Sequence, residues 1–382
     1  MLAGPYATLL LADLGAEVLK LERPGTGDDI RAVGPHFVHG ESVYFLSVNR
    51  GKRSMTVDLA LPEGRALLHR LAAASDVVVE NFRAGVAERL GCDAATLHAL
   101  NPRLVVCGIT AFGRTGPDRD LPAFDLTLQA RAGVMALTGT PESGPLRCGV
   151  PIGDLAGGLF AAVAINAALF DRERTGRGSF IDLSLLDCQV SLLGYAAGAW
   201  LTAGDDLGPQ GTAHPHAVPY QRFATRDGQL VVAVFTDAFW PGFCRALDRP
   251  AWITDPAMAT KAARRANLAA TLDAVSARLL DDDTRTWTDR FAREGVPSAP
   301  VQRVSEVFDD PQVRARGMIA TTEHPRAGTV RGPGDPFRAG EVERAGYAPA
   351  PMLGADTDAV LASWLRMTEA ETVALRASGA MG

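Results

Sequence analysis

Asp154 stands in Val150-Pro151-Ile152-Gly153-Asp154-Leu155-Ala156-Gly157-Gly158, where a glycine-bearing turn opens a long apolar stretch. A carboxylate at a helix N-terminus meets the positive end of the helix dipole and backbone N–H groups that lack partners. It is therefore expected to stay ionised and to point outward. Such a group suits a nucleophile. The competing reading is an ordinary helix cap, because Asp caps helices everywhere, and the local pattern alone favours it.

The elements that must position this carboxylate are legible in outline. Leu155 to Phe170 is almost all Ala, Leu, Val and Ile, and the basic, glycine-bearing Arg172-Glu173-Arg174-Thr175-Gly176-Arg177-Gly178 follows it, as a helix C-terminus requires. That stretch is expected to be a buried helix; it is short for a membrane span and contains Asn166. Upstream, helices are expected over Ala7 to Leu14, Glu63 to Ala74 and Val86 to Leu90. Strands are expected over Glu17 to Leu21, Asp76 to Glu80 and Leu104 to Ile109. Short apolar strands between helices imply an α/β domain with a doubly wound, Rossmann-like parallel sheet, whose ligands sit at the carboxyl ends of the strands. No G-x-G-x-x-G follows a strand, which removes a dinucleotide oxidoreductase.

The Gly/Pro/His-rich stretch from Gly204 to Pro219 interrupts this pattern. A hairpin turning at Asp227-Gly228 within Phe223 to Val234 then begins a smaller α+β region, with helices near Trp240 to Leu247, Leu268 to Leu280 and Thr286 to Glu294, and a strand at Ala299 to Val301. Phe239, Trp240, Phe243 and Leu247 lie at helical spacing and are expected in its core. His214 and His216 read as loop residues. The division expected is a large domain over 1–200, a linker over 201–222, a small domain over 223–318, and a linker and return to the large domain over 319–382, with a last helix from Asp356 to Met367.

Composition sets the outer limits. A chain of 382 residues, 47% hydrophobic and 21% charged, can hold two folded domains. A net charge of -6 without a basic run argues against nucleic acid, so an anionic ligand must be met by individual cations. The five cysteines are scattered, with no C-x-x-C, so neither a metal site nor a disulfide framework is expected; a reducing cytoplasm fits. No signal peptide and no membrane association are read from the sequence.

Several ordered phrases together resemble the class III CoA-transferases. They are Gly4-Pro5-Tyr6-Ala7-Thr8, Ala12-Asp13-Leu14-Gly15-Ala16-Glu17-Val18, Glu22-Arg23-Pro24, Asn49-Arg50-Gly51-Lys52-Arg53-Ser54, Val79-Glu80-Asn81-Phe82-Arg83, Gly113-Arg114-Thr115-Gly116-Pro117, Gly153-Asp154 and Thr175-Gly176-Arg177-Gly178. Formyl-CoA and carnitine CoA-transferases belong to this group, and α-methylacyl-CoA racemase shares its fold. The resemblance implies that Asp154 attacks an acyl-CoA thioester, forming an aspartyl mixed anhydride and then an aspartyl-CoA thioester, from which an acceptor acid takes CoA. It implies that Arg23, Asn81, Phe82 and Arg89 contact CoA and that Val57 packs on adenine. Phe124, Asp125, Gly157 and Gly158 are the implied substrate-pocket positions, with the two glycines letting backbone N–H groups approach the thioester oxygen. CoA is then a substrate rather than a resident cofactor, no metal is required, and the partners are an acyl-CoA, an organic acid and a second copy of the chain in an interlocked homodimer.

Departures from the family's phrases carry information too. Phe124-Asp125 stands where racemases place a catalytic histidine, and a phenyl ring cannot move a proton, so the acyl-CoA racemase or epimerase alternative loses ground. A non-catalytic acyl-CoA-binding relative is the other alternative, opposed by the intact Asp154. Pro122 and Ala60 replace basic residues of some members, which implies a different substrate from formyl-CoA transferase. Relatives usually open with a strand ahead of the Ala-Gly-Pro phrase, whereas Met1-Leu2 leads directly into Ala3-Gly4-Pro5; an upstream start is the expectation drawn from that.

Overall fold

The computed structural model describes residues 2–337 and 346–382. Met1, and with it the expectation about the start of the chain, lies outside them, as does part of the expected C-terminal linker. Contacts divide the chain into two compact units, one spanning Met1–Met135, Arg147–Asp206 and Gln312–Gly382, the other Ala136–Leu146 and Leu207–Pro311.

In the first unit the short apolar runs form parallel strands. β1 (Val18–Glu22) pairs with β2 (Lys52–Thr56), while β3 (Val77–Glu80), β4 (Val105–Thr110) and β5 (Phe180–Ser184) form a second group in the order β3-β4-β5. All six residues of β4 are buried, which is why Leu104 to Ile109 lacks polar alternation: a strand covered on both faces has no solvent side. The architecture is mixed α/β with parallel segments. The parallel strands expected from the sequence are present and fall into two groups, with no ladder between them among the described residues.

Five helices bear on the site: α1 (Ala3–Asp13), α2 (Val43–Val48), α3 (Asp125–Arg131), α4 (Ile152–Thr175) and α5 (Leu185–Leu192). α1 starts four residues earlier than the apolar pattern suggested, because Pro5 falls in the first turn, where its missing N–H has no helical partner to lose. α4 likewise begins at Ile152 and ends on Gly176, in the left-handed conformation at φ 71°. It is not the buried helix expected. Ala156, Gly157, Gly158, Ala161, Ala162 and Ile165 face the core, but Leu159, Val163 and Phe170 are 46%, 67% and 71% exposed. By length and composition α4 could also cross a membrane.

Glycines set how tightly α4 packs. A Cβ on Gly158 would stand 2.9 Å from the Ala3 carbonyl oxygen and 2.8 Å from the Tyr6 ring, and one on Gly157 would stand 2.2 Å from Leu185. Only glycine lets α1 and α5 approach this closely. The core between them joins Ala3, Ala7 and Leu10 to Cys107, Ile109, Ala161 and Ile165. The last helix expected in the unit, Thr357–Trp364, is shorter than its pattern suggested, and Asp356 does not cap it. The Asp356 carboxylate instead accepts the Ser54 N–H at 2.8 Å, tying the C-terminal segment to β2.

The second unit carries the expected hairpin, Tyr220–Ala224 against Gln229–Ala233, extended by Ser298–Pro300. Trp240, Phe243, Leu247, Trp287 and Phe291 form its core. Arg264 is fully buried there, donating to the Val218 and Met258 carbonyls and to Asp237 at 2.7–2.9 Å, with its guanidinium 4.3 Å from the Trp240 ring centre. A buried cation is tolerable only with its donors satisfied in this way. His214 is committed to its own loop, its Nδ1 accepting the N–H groups of His216 and Ala217.

Candidate active site

Asp154 is the third residue of α4 and does not cap it; Pro151 occupies the cap position without a side-chain bond. The capping is done from elsewhere. Asp125, the first residue of α3, points Oδ1 at the same helix start and accepts the N–H groups of Gly153 at 2.8 Å and Asp154 at 3.2 Å. Its other oxygen accepts the Gln129 amide at 2.6 Å. With these backbone donors taken, the Asp154 side chain is released from the capping role that local pattern favoured. No described residue donates a hydrogen bond to it.

The electrostatics also depart from the sequence expectation. Asp154 is half-buried, and burial, with the nearby Asp125 charge, raises its pKa above the ordinary carboxylate value. Such a carboxylate is a stronger base and nucleophile than a solvated one once ionised. Tyr44 on α2 responds to the same field: burial, then the charges of Asp154, Asp28 and Asp125, push its phenol up to about 12. Tyr44 therefore stays protonated within reach of the Asp154 charge. Nothing in the spacing around Tyr44 marked it, because α2 reaches the site only through tertiary packing.

Gly153 explains itself by crowding, since a Cβ there would stand 2.2 Å from Gln189 Nε2 and 2.9 Å from Asp125 Oδ1. Gln189 is fully buried and neither of its amide atoms is bonded to a described residue. Gly157 and Gly158 are buried, closely packed against Leu185 and α1. Phe124 is 69% exposed at the start of α3 and has no proton to give.

The positions assigned to CoA follow the strands. Arg23 lies just beyond β1, exposed and paired with Asp29. Asn81 and Phe82 follow β3: the Asn81 amide donates to the Ile109 carbonyl at 2.7 Å, and the Phe82 N–H donates to Glu80 at 2.9 Å. Arg89 is exposed on the short helix Val86–Leu90 and forms no ion pair among the described residues. The first turn of α1 connects this group to Asp154, with Gly4 facing Asn81 and Ala3 facing Gly158. Val57 is 2% exposed, packed with Met55, Leu67, Leu71 and Val360. Among the described residues no cluster of three or more His, Cys, Asp or Glu is arranged for a metal ion.

Comparison with known proteins identifies the family. The succinyl-CoA:glutarate CoA-transferase of Mus musculus is 39% identical over 379 residues, covering 99% of this chain and 87% of that protein. The succinyl-CoA:mesaconate CoA-transferase of Haloarcula hispanica is 41% identical over 337 residues, covering 86% of this chain and 84% of that protein. Among solved structures, a CAIB/BAIF family protein from Brucella suis superposes with a TM-score of 0.86 at 37% identity, covering 95% of this chain and 96% of that one. The model of CoA-transferase family III matches residues 1–357, and the chain belongs to that family.

Proposed function

We propose that the protein moves CoA from an acyl-CoA donor to a carboxylic acid through Asp154, and that donor and acceptor are small dicarboxylic acids. The observation that carries this is the Asp154 carboxylate itself: freed from capping by Asp125, half-buried, raised in pKa and without a hydrogen-bond donor among the described residues. The acid class is taken from the relatives, whose names specify succinyl-CoA with glutarate or mesaconate.

The steps balance without an outside reagent. An Asp154 oxygen attacks the thioester carbon, the C–S bond breaks, and CoA leaves as the thiolate, giving a mixed anhydride. The thiolate attacks the Asp154 carbonyl, expels the donor acid as its carboxylate and leaves an aspartyl-CoA thioester. The acceptor carboxylate repeats the first step on that thioester, and returning thiolate collects the acceptor's acyl group and regenerates Asp154. A carboxylate go-between suits exchange between two carboxylic acids because every intermediate is an anhydride or thioester of similar energy; a serine ester would be a trap. Tyr44 supplies a protonated donor for charge developing on the thioester oxygen. Arg23 and Arg89 meet CoA phosphates, and Asn81 and Phe82 line its path.

A second copy of the chain is proposed to cover the outward face of α4, where Leu159, Val163 and Phe170 are uncovered, together with the exposed Tyr195, Trp200 and Leu201. Each large side chain so covered contributes about 1.5–3 kcal/mol. Light scattering at micromolar concentration should return a dimer, and an active monomer would refute this. The activity is tested by incubating the protein with succinyl-, acetyl- and formyl-CoA against a panel of acids and reading acyl-CoA products by mass spectrometry. CoA exchange with at least one dicarboxylic pair is expected. Thioester hydrolysis without exchange would contradict the proposal.

A further inference from the structure

Gln129 is 1% exposed, lies one helical turn after Asp125 on α3, and bonds at both ends of its amide. Its Oε1 accepts the Cys148 N–H at 2.9 Å and its Nε2 donates to Asp125 Oδ2 at 2.6 Å. Asp125 Oδ1 in turn accepts from Gly153 and Asp154. One chain of hydrogen bonds therefore runs from Cys148, before the turn, to Asp154, after it.

The direction of that chain is forced. Backbone N–H groups stand at both ends, and each can only donate. An amide has one accepting and one donating end, so once Oε1 faces Cys148, Nε2 must face residue 125. Residue 125 must then accept at both of its oxygens, which a carboxylate does and an amide cannot. Resting on the assignment of Asp154 as nucleophile, we propose that Gln129 is a positioning residue for it: the buried amide fixes both ends of the 148–154 turn through Asp125 and so sets where the Asp154 carboxylate is presented. Gln129 touches neither substrate nor Asp154's side chain. It acts by geometry, and near-attack geometry is steep, a displacement of about 1 Å costing up to about a hundredfold in rate.

The forced polarity supplies the experiment. Asp125→Asn turns an N–H donor toward the Gln129 donor, and Gln129→Glu turns a second carboxylate toward Asp125. Each single change breaks the chain. The double variant Asp125→Asn/Gln129→Glu restores it with the polarity moved along by one residue. The carboxylate now at position 129 accepts from the Cys148 N–H and from the amide now at position 125, whose oxygen accepts from Gly153 and Asp154. Each single variant is expected to lose about ten- to a hundredfold in kcat, with KM for acyl-CoA within about twofold. The double variant should return to within about fivefold of wild type.

Gln129→Met, which leaves Asp125 bonded to the start of α4 but cuts the tie to Cys148, covers the case in which the single variants fail to fold; about a tenfold fall in kcat at unchanged KM is expected. A double variant no better than the worse single, or wild-type kcat in Gln129→Met, overturns the proposal. Asp154→Asn is run alongside. If that variant retains full transfer, the nucleophile assignment fails; if it is inactive while the relay variants are all normal, only the role of Gln129 fails.

Discussion

Glu22 at the end of β1 and Asp154 at the start of α4 are carboxylates taken from water within the same unit, and they come to opposite ends. Glu22, 4% exposed, accepts two bonds from Arg31 at 2.7 Å, one from the Ser54 hydroxyl at 2.6 Å and one from the Asp28 N–H at 3.0 Å. Burial pushes its pKa up, but these partners outweigh burial and hold it below the ordinary value. Asp154 is half-buried, has no such partners among the described residues, and is raised. Desolvation is common to both, so it cannot distinguish a structural acid from a reactive one. Hydrogen-bond satisfaction does: a saturated carboxylate holds the fold together, and an unsaturated one retains its lone pairs for chemistry.

The largest effect should come from exchanging the proposed nucleophile. Asp154→Asn is expected to lower transfer by about a thousandfold or more, with CoA still bound in a calorimeter; unimpaired turnover would put the nucleophile elsewhere. Glu22→Gln should do the reverse. Removing one partner of a buried ion pair costs about 3–5 kcal/mol, read by urea denaturation, and kcat per folded molecule should stay within about threefold of wild type. If Glu22→Gln is stable but inactive, the contrast between the two acids is wrong.

Arg23→Ala and Arg89→Ala are expected to weaken CoA binding by about 1–3 kcal/mol each, the range for a charge-assisted hydrogen bond, with loss growing at higher salt. Binding as tight as wild type in both would return these arginines to the solvated surface. The smallest effect concerns stability and pH. A carboxylate whose folded pKa is raised favours the fold while protonated, and that contribution is lost as pH rises from the ordinary carboxylate value, about 3.9, through the raised one. Asp154→Asn should therefore melt at or above the wild-type temperature at neutral pH, and the difference should vanish in acid. A lower melting temperature for Asp154→Asn at neutral pH would mean that Asp154 is bonded like Glu22.

Asp154 was singled out by the ordered family phrases, since its local pattern of glycine turn, acid and apolar helix alone favoured a cap. Strands β1, β3 and β4 were legible because their signals are local. Long-range consequences were not. The packing of Val57 was hidden because its partner Val360 lies some three hundred residues further along the chain. Gly157 and Gly158 gave no sign of how closely α1 and α5 pack against them. Asp125 was named by resemblance as a pocket residue, and only the fold shows its oxygens committed to Gly153, Asp154 and Gln129. Tyr44 and Gln129 carried no signal, since each meets the site through an element distant in sequence.

The central claim is that the acceptor's carboxylate exchanges an oxygen with Asp154. Turnover with succinyl-CoA and a dicarboxylic acceptor labelled with heavy oxygen in its carboxyl groups tests this directly, followed by peptide mass spectrometry. The account predicts heavy oxygen on the peptide containing Asp154 and, after further cycles, in the released donor acid. Full conversion to acceptor-CoA with no label on that peptide or in the released acid would contradict it.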